Sequence, residues 1–120
     1  MSKAPYLPNS RKDGGYSNSA IAAQVGETVL GGSTTWQQLT TSNIRCSGVL
    51  LTAPTAAHPN GAANTGNVYY LIASAQPAST GGAAVVTPTM TTFFLPVGDA
   101  SQVWIYGTAA DALEWQALQA

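Results

Sequence analysis

The chain reads as an all-β protein, an antiparallel β-sandwich of jelly-roll-like form with an extended N-terminal arm, and three observations predict it. From residue 20 onward, short runs of alternating β-branched and aromatic residues recur between clusters of Gly, Pro, Asn and Ser. No long stretch repeats apolar residues at helical spacing. The run 67–74 is apolar on both sides, Val68, Tyr70 and Ile72 alternating with Tyr69, Leu71 and Ala73, and such a strand needs cover on both faces, in a sandwich or at an interface. A chain of 120 residues holds material for one core. Residues 1–19 are therefore assigned to the arm and residues 20–120 to a single domain. No internal repeat is visible.

In the arm, Pro5 and Pro8 restrict φ and remove hydrogen-bond donors, and Gly14-Gly15 breaks any helix. Such a segment has no core of its own. Tyr6, Leu7 and Tyr16 are candidate anchors for packing on this subunit or a neighbour, and Lys3, Arg11 and Lys12 offer charge for an acidic surface.

Strands follow in order. Residues 27–30 form the first, ended by Gly31-Gly32, and residues 36–41 the second. Residues 44–52 form the third, with Ile44, Cys46, Gly48 and Leu50 on one face and Arg45, Ser47, Val49 and Leu51 on the other. A loop rich in Ala, Pro, Asn and Gly spans 53–66 before the strand at 67–74, and a turn-rich connection at 76–82 leads to residues 83–87. In 89–95, Met90, Thr92 and Phe94 alternate with Thr91, Phe93 and Leu95. Pro96-Val97-Gly98-Asp99 is a turn; residues 102–106 set Val103 and Ile105 against Trp104 and Tyr106, and Gly107 closes that strand.

The tail is ambiguous by composition. Ala, Leu, Gln and Glu favour a helix, with Asp111 as its cap and Glu114 three residues on. Yet Leu113, Trp115 and Ala117 alternate with Glu114, Gln116 and Leu118, which predicts a strand in a hairpin with 102–106. That pairing sets Trp104 beside Trp115. Val68, Tyr70, Ile72, Trp104 and Trp115 are thus the expected core or hairpin residues.

Charge sets the functional class. Acidic and basic residues make up 8% of the chain, against about 25% in a typical domain. From Cys46 to Ala120 there are only Asp99, Asp111 and Glu114, with no Lys or Arg. A body this poor in charge predicts a surface covered by protein, hence a homo-oligomer, a trimer in preference to a dimer. Three bases in the arm, offset by Asp13, are too few for a phosphate-tracking surface, which commonly makes about six or more contacts, so no nucleic-acid partner is expected. No signal-like apolar run opens the chain and no later stretch reaches the ~18 apolar residues of a membrane span, so a protein made in the cytoplasm with no membrane partner is expected. Cys46 is the single cysteine and reads as a small core residue.

Chemistry finds little purchase. His58, the one histidine, sits in the turn composition His-Pro-Asn-Gly with no nucleophile signature anywhere. One His, one Cys and five scattered acids offer no metal-ligand spacing. Gly31-Gly32-Ser33-Thr34-Thr35 and Thr80-Gly81-Gly82 lack the Gly-Lys-Ser/Thr ending of a phosphate loop and read as turns. Glu27, Asp99, Asp111 and Glu114 are few for a glycosidase pair. No catalytic residue and no cofactor is expected. Trp36, Trp104, Trp115, Tyr69, Tyr70 and Tyr106 suit either a core and interface or a sugar-stacking platform.

Thr65-Gly66-Asn67-Val68-Tyr69-Tyr70-Leu71, then Phe93-Phe94-Leu95-Pro96-Val97-Gly98, then Gln102-Val103-Trp104-Ile105-Tyr106-Gly107-Thr108-Ala109-Ala110-Asp111, and finally Leu113-Glu114-Trp115 follow one another in the last 56 residues. This series resembles the strands of small virion structural proteins of tailed bacteriophages, of the head decoration (cement) type and of some tail and fibre modules. The resemblance implies a virion protein assembled in the host cytoplasm, with no catalysis, that stabilises a head by binding the major capsid protein on its outer surface. A tail or fibre component that binds host glycans, or a small carbohydrate-binding module, stays open as the alternative.

Overall fold

The computed structural model describes residues 22–31, 35–55, 62–79, 81–88 and 92–119. The six arm residues singled out above, and His58 and Met90, lie outside these. The described residues form eight strands: β1 (Ala22–Val29), β2 (Gln37–Gln38), β3 (Gly48–Thr52), β4 (Val68–Ile72), β5 (Ala84–Val86), β6 (Phe93–Leu95), β7 (Val103–Gly107) and β8 (Ala112–Leu118). They make two four-stranded antiparallel sheets, ordered β1-β8-β3-β6 and β2-β7-β4-β5, the layers of an all-β sandwich. The tail is therefore a strand, as its alternation predicts.

The pairing is nested: β1 lies on β8, β2 on β7, β3 on β6 and β4 on β5, while β8 also joins β3 and β7 joins β4. Of consecutive strands, only β4 and β5 share a sheet. This corrects the predicted hairpin of the last two strands. Each already has two neighbours in its own sheet, so residues 108–111 carry the chain across the sandwich edge instead. There the Leu30 N–H donates to the Asp111 carbonyl at 2.8 Å, and the Ala110 N–H donates to the Leu30 carbonyl at 2.9 Å. Trp104 and Trp115 consequently sit on different sheets.

The core lies between the sheets. Leu113, Trp115 and Ala117 of β8 and Val49 and Leu51 of β3 face Val68, Val86, Val103 and Ile105 of the other sheet, with Leu30, Leu39, Ile44 and Leu95 around them. Each fully buried Val, Leu or Ile contributes roughly 1.5–3 kcal/mol by leaving water. Tyr70 and Phe93 close one side, their rings 5.6 Å apart across the sheets. Trp115 fits because Gly26 lies opposite it: a Cβ at Gly26 would come within 2.6 Å of the indole. The indole N–H donates to the Thr28 hydroxyl at 3.0 Å, so the buried ring leaves no polar atom unmatched.

Three further expectations need correction. The run 44–52 is not one evenly alternating strand: Ile44 and Cys46 face inward, but after a bend at Ser47 the inward residues are Val49 and Leu51, leaving Leu50 on the outer side. The cause is a change of partner, since residues 44–46 bond to residues 98–100, whereas β3 pairs with β8 and β6. Ile72 lies on the inward side by register, opposite Val103, but at the end of β4 it is 47% exposed. Trp104 is half-buried on the outer side of its sheet, away from the core.

Candidate interaction faces

Cross-strand neighbours share a face, so the register defines what each sheet presents outward. On the β2-β7-β4-β5 sheet, Tyr69 stands between Tyr106 and Val85, and Trp104 between Gln38 and Leu71. The Tyr106 ring is 5.3 Å from Trp36 and 6.4 Å from Tyr69, in tilted contacts, giving a row of three aromatic rings across the face. Trp36 is buried at one end of the row; Tyr69 and Val85 are 37% and 38% exposed at the other. Trp104 is held by its indole N–H, which donates to the Ala73 carbonyl at 3.0 Å. Beside the row, Asn67 and Thr108 flank Tyr69 and Tyr106 around a shallow depression of about 230 Å³. None of the residues of these four strands is Asp, Glu, Lys, Arg or His.

The outer face of the other sheet is built differently. One row across it runs Val25, Gln116, Leu50, Phe94, and the next runs Glu27, Glu114, Thr52. Thr92 extends the second row through a hydroxyl hydrogen bond with Thr52. Val25 is 60% and Phe94 46% exposed. Phe94 lies over Gly48, where any Cβ would run into its ring. Apart from Phe94, the residues of the two rows line a groove of about 300 Å³ with an apolar side and an acidic side. Among the described residues, Glu27 and Glu114 are the only charged residues on the eight strands, and they oppose each other directly.

Buried polar groups hold the connections between sheets. Asn64 acts as a substitute strand for Ala112: its side-chain NH2 donates to the Ala112 carbonyl at 2.7 Å and its carbonyl accepts the Ala112 N–H at 2.8 Å. The neighbouring Asp111 carboxylate accepts the backbone N–H groups of Thr65 and Gly66, each at 3.0 Å, and the Thr65 hydroxyl at 3.2 Å. Asp111 is thus a loop clamp, and no helix follows it to cap. At another connection Asp99 accepts the Ser101 N–H at 2.9 Å, the Ser101 hydroxyl at 2.8 Å and the Ile44 N–H at 3.2 Å. The Ser101 backbone bond, foremost, then its hydroxyl and the Ile44 N–H hold the Asp99 carboxyl below its usual range. Cys46 is buried, its Sγ 3.3 Å from the Val97 carbonyl, and burial pushes its thiol pKa up, which makes it a poor nucleophile.

Among the described residues no three of His, Cys, Asp and Glu come together as metal ligands, and no helix is long and apolar enough to cross a membrane. Of the residues singled out from sequence, Val68 and Trp115 lie in the core, Tyr70 packs against it half-buried, and Ile72 and Trp104 face away from it or sit at its margin. The six aromatic candidates separate: Trp36, Trp104, Tyr69 and Tyr106 share an outer face, while Tyr70 and Trp115 turn inward. The groove of Val25, Leu50, Glu27 and Glu114 is not anticipated, although the adjacent pair Phe93-Phe94 in a strand of the same sheet guarantees one ring outside. No protein-family model, no curated protein and no solved structure matches the chain.

Proposed function

We propose that the chain is a non-catalytic structural protein of a virion, a capsid decoration (cement) subunit that forms homo-oligomers and docks on the major capsid protein at the outer surface of the head. The observation that carries this reading is the charge-free outer face of the β2-β7-β4-β5 sheet, with its aromatic row ending in exposed Tyr69 and Val85. Interface cores are enriched in aromatic residues and depleted in charge, and a few aromatic anchors commonly supply most of the binding energy. The nested strand pairing supports a jelly-roll-like reading of the sandwich, an architecture used by capsid and lectin domains alike. Fold alone does not choose between those uses; the resemblance of the strands in residues 65–115 to phage virion proteins favours the first.

Co-sedimentation with undecorated phage heads tests it. The parent protein should saturate the heads and raise their melting temperature, and Val85→Lys should lower occupancy at equal concentration; heads that stay bare contradict the reading. The depression flanked by Asn67, Thr108, Tyr69 and Tyr106 favours a second reading, a tail or fibre module that binds a neutral glycan, since it sets an amide and a hydroxyl beside two rings without charge. Glycan-array binding lost on Tyr106→Ala would support that alternative.

A further inference from the structure

Residues of an inner antiparallel strand bond alternately to the neighbour on one side and the neighbour on the other, so one hydrogen bond fixes the phase of a ladder. The Ala73 N–H donates to the Gln102 carbonyl at 2.8 Å, one step beyond the Ile72–Val103 pair. By alternation Leu71 and Tyr69 also bond to β7, whereas Tyr70 and Val68 turn their backbone groups toward β5. The Leu39 N–H, which donates to the Val103 carbonyl at 2.8 Å, agrees: Val103 and Ile105 serve β2, and Trp104 and Tyr106 serve β4. On β5, then, Ala84 and Val86 bond to β4, and Val85 points its N–H and C=O away from the sheet, along an edge that no described residue pairs with. The Val85 side chain is 38% exposed, beside Tyr69. The opposite edge of the same sheet is closed by side chains: the Thr28 hydroxyl donates to the Leu39 carbonyl, and the Gln37 amide donates to the Val29 carbonyl and accepts the Gly31 N–H.

We propose that the free edge of β5 pairs with the same edge of a second copy, antiparallel across a twofold axis between the two Val85 residues, so that the sheet runs on through both subunits. A second copy is favoured because the edge is its own complement. Val85 offers one donor and one acceptor side by side, and a twofold rotation sets each against its opposite, the isologous arrangement commonest among oligomers. Charge does not oppose the joint, since no residue of the four strands is Asp, Glu, Lys, Arg or His and no like-charged pair faces across it. Open edges are commonly blunted by Lys, Pro or a bulge, and Ala84-Val85-Val86 has none of these. The pairing sets the two Val85 side chains against each other and joins the aromatic rows of both copies into one, with exposed Tyr69 on either side of the joint. Because β5 has only three residues, the backbone bonds act together with that apolar row. A twofold contact cannot close a trimer; it makes a dimer of single copies or links one trimer to the next. The inference does not depend on the virion reading.

Disulfide trapping tests it. In a Cys46→Ala background, Val85→Cys, Tyr69→Cys and Ala84→Cys are each oxidised, and circular dichroism against the parent confirms that each variant folds. All three positions are exposed, so random collision treats them alike. Opposed residues of a bonded antiparallel pair have Cα atoms about 5.5 Å apart, inside the ~4.4–6.8 Å that a disulfide spans. Two Tyr69 residues would stand about 14 Å apart across three strand spacings, and two Ala84 residues, offset by two positions along the strands, roughly 8 Å apart. The expected result is a linked pair of chains on a non-reducing gel from Val85→Cys at several times the yield of either control; equal yields would overturn the proposal. Backbone pairing is separated from side-chain contact by Val85→Pro and Val85→Thr. Proline is tolerated on an edge strand where the N–H makes no ladder bond, and it removes the donor while keeping an apolar side chain. At a concentration where the parent is fully assembled, Val85→Pro should scatter light with half the parent's mass and Val85→Thr with the parent's mass. A proline variant that assembles like the parent, or a threonine variant that falls to half as well, would overturn the pairing.

Discussion

Trp115 ties β8 to β1 through its Thr28 hydrogen bond while its ring fills the space above Gly26, so a single side chain serves both packing and polar satisfaction. Trp115→Ala should cost about 3–5 kcal/mol in urea unfolding, as large-to-small core changes do. Trp104→Ala should cost distinctly less, because that ring lies half-exposed on an outer face and leaves little cavity. Equal losses in the two variants would show that both rings are core. Asp99 makes a different prediction, one in pH. Its folded pKa lies below the unfolded value near 3.8. The stabilisation is therefore fully present above that value and is lost as pH falls through the folded pKa. Asp99→Ala should cost about 1 kcal/mol at neutral pH, the usual worth of a capping side chain. The gap between parent and variant should narrow as pH falls below the unfolded value; a gap that holds constant from neutral to acid would place the stabilisation elsewhere than in the carboxylate.

Elements here are joined by side chains that imitate backbone. Asn64 satisfies both the N–H and the carbonyl of Ala112, at the first residue of β8, so Asn64→Ala strands two buried groups and should destabilise by about 2 kcal/mol or more. Hydrogen exchange should report the same event locally, as faster exchange of the Ala112 amide than of the Ile105 amide; unchanged protection at Ala112 would refute the clamp. The strands themselves were largely legible: Val103-Trp104-Ile105-Tyr106 and Leu113-Glu114-Trp115-Gln116-Ala117 alternate, and alternation survives in any sheet with one buried face. Their partners were not. A short link between two strands argues for a hairpin on local grounds, whereas nested pairing is decided by strands β1 and β2, far away in the chain. The shift of phase at Ser47 was hidden for a similar reason, since it arises where the chain changes partners, and a two-residue β2 carries no period of its own. Asn64 and Asp99 sit in loops whose composition signals a turn and says nothing of which distant amide it serves.

At the scale of the molecule the two outer faces divide the work: the β1-β8-β3-β6 face is acidic and grooved, and the β2-β7-β4-β5 face is uncharged and aromatic. Apolar surface of the second kind is seldom left open on a free monomer. The purified chain should scatter light as a homo-oligomer at micromolar concentration, a trimer in preference to a dimer. Tyr69→Glu, which sets a charge at the exposed end of the aromatic row, should lower the mass toward that of the monomer while leaving circular dichroism unchanged. A monomeric parent would remove the argument from this face to self-association. The aromatic candidates seen in the sequence resolve only at this scale, because whether a ring faces core or neighbour depends on which sheet its strand joins. The proposed docking of the aromatic sheet on a virus head is tested by a cryo-electron microscopy map of phage heads saturated with the protein. Density is expected on the outer head surface with Tyr69, Val85 and Tyr106 turned against neighbouring protein; density confined to the tail, or that face turned to solvent, would rule such docking out.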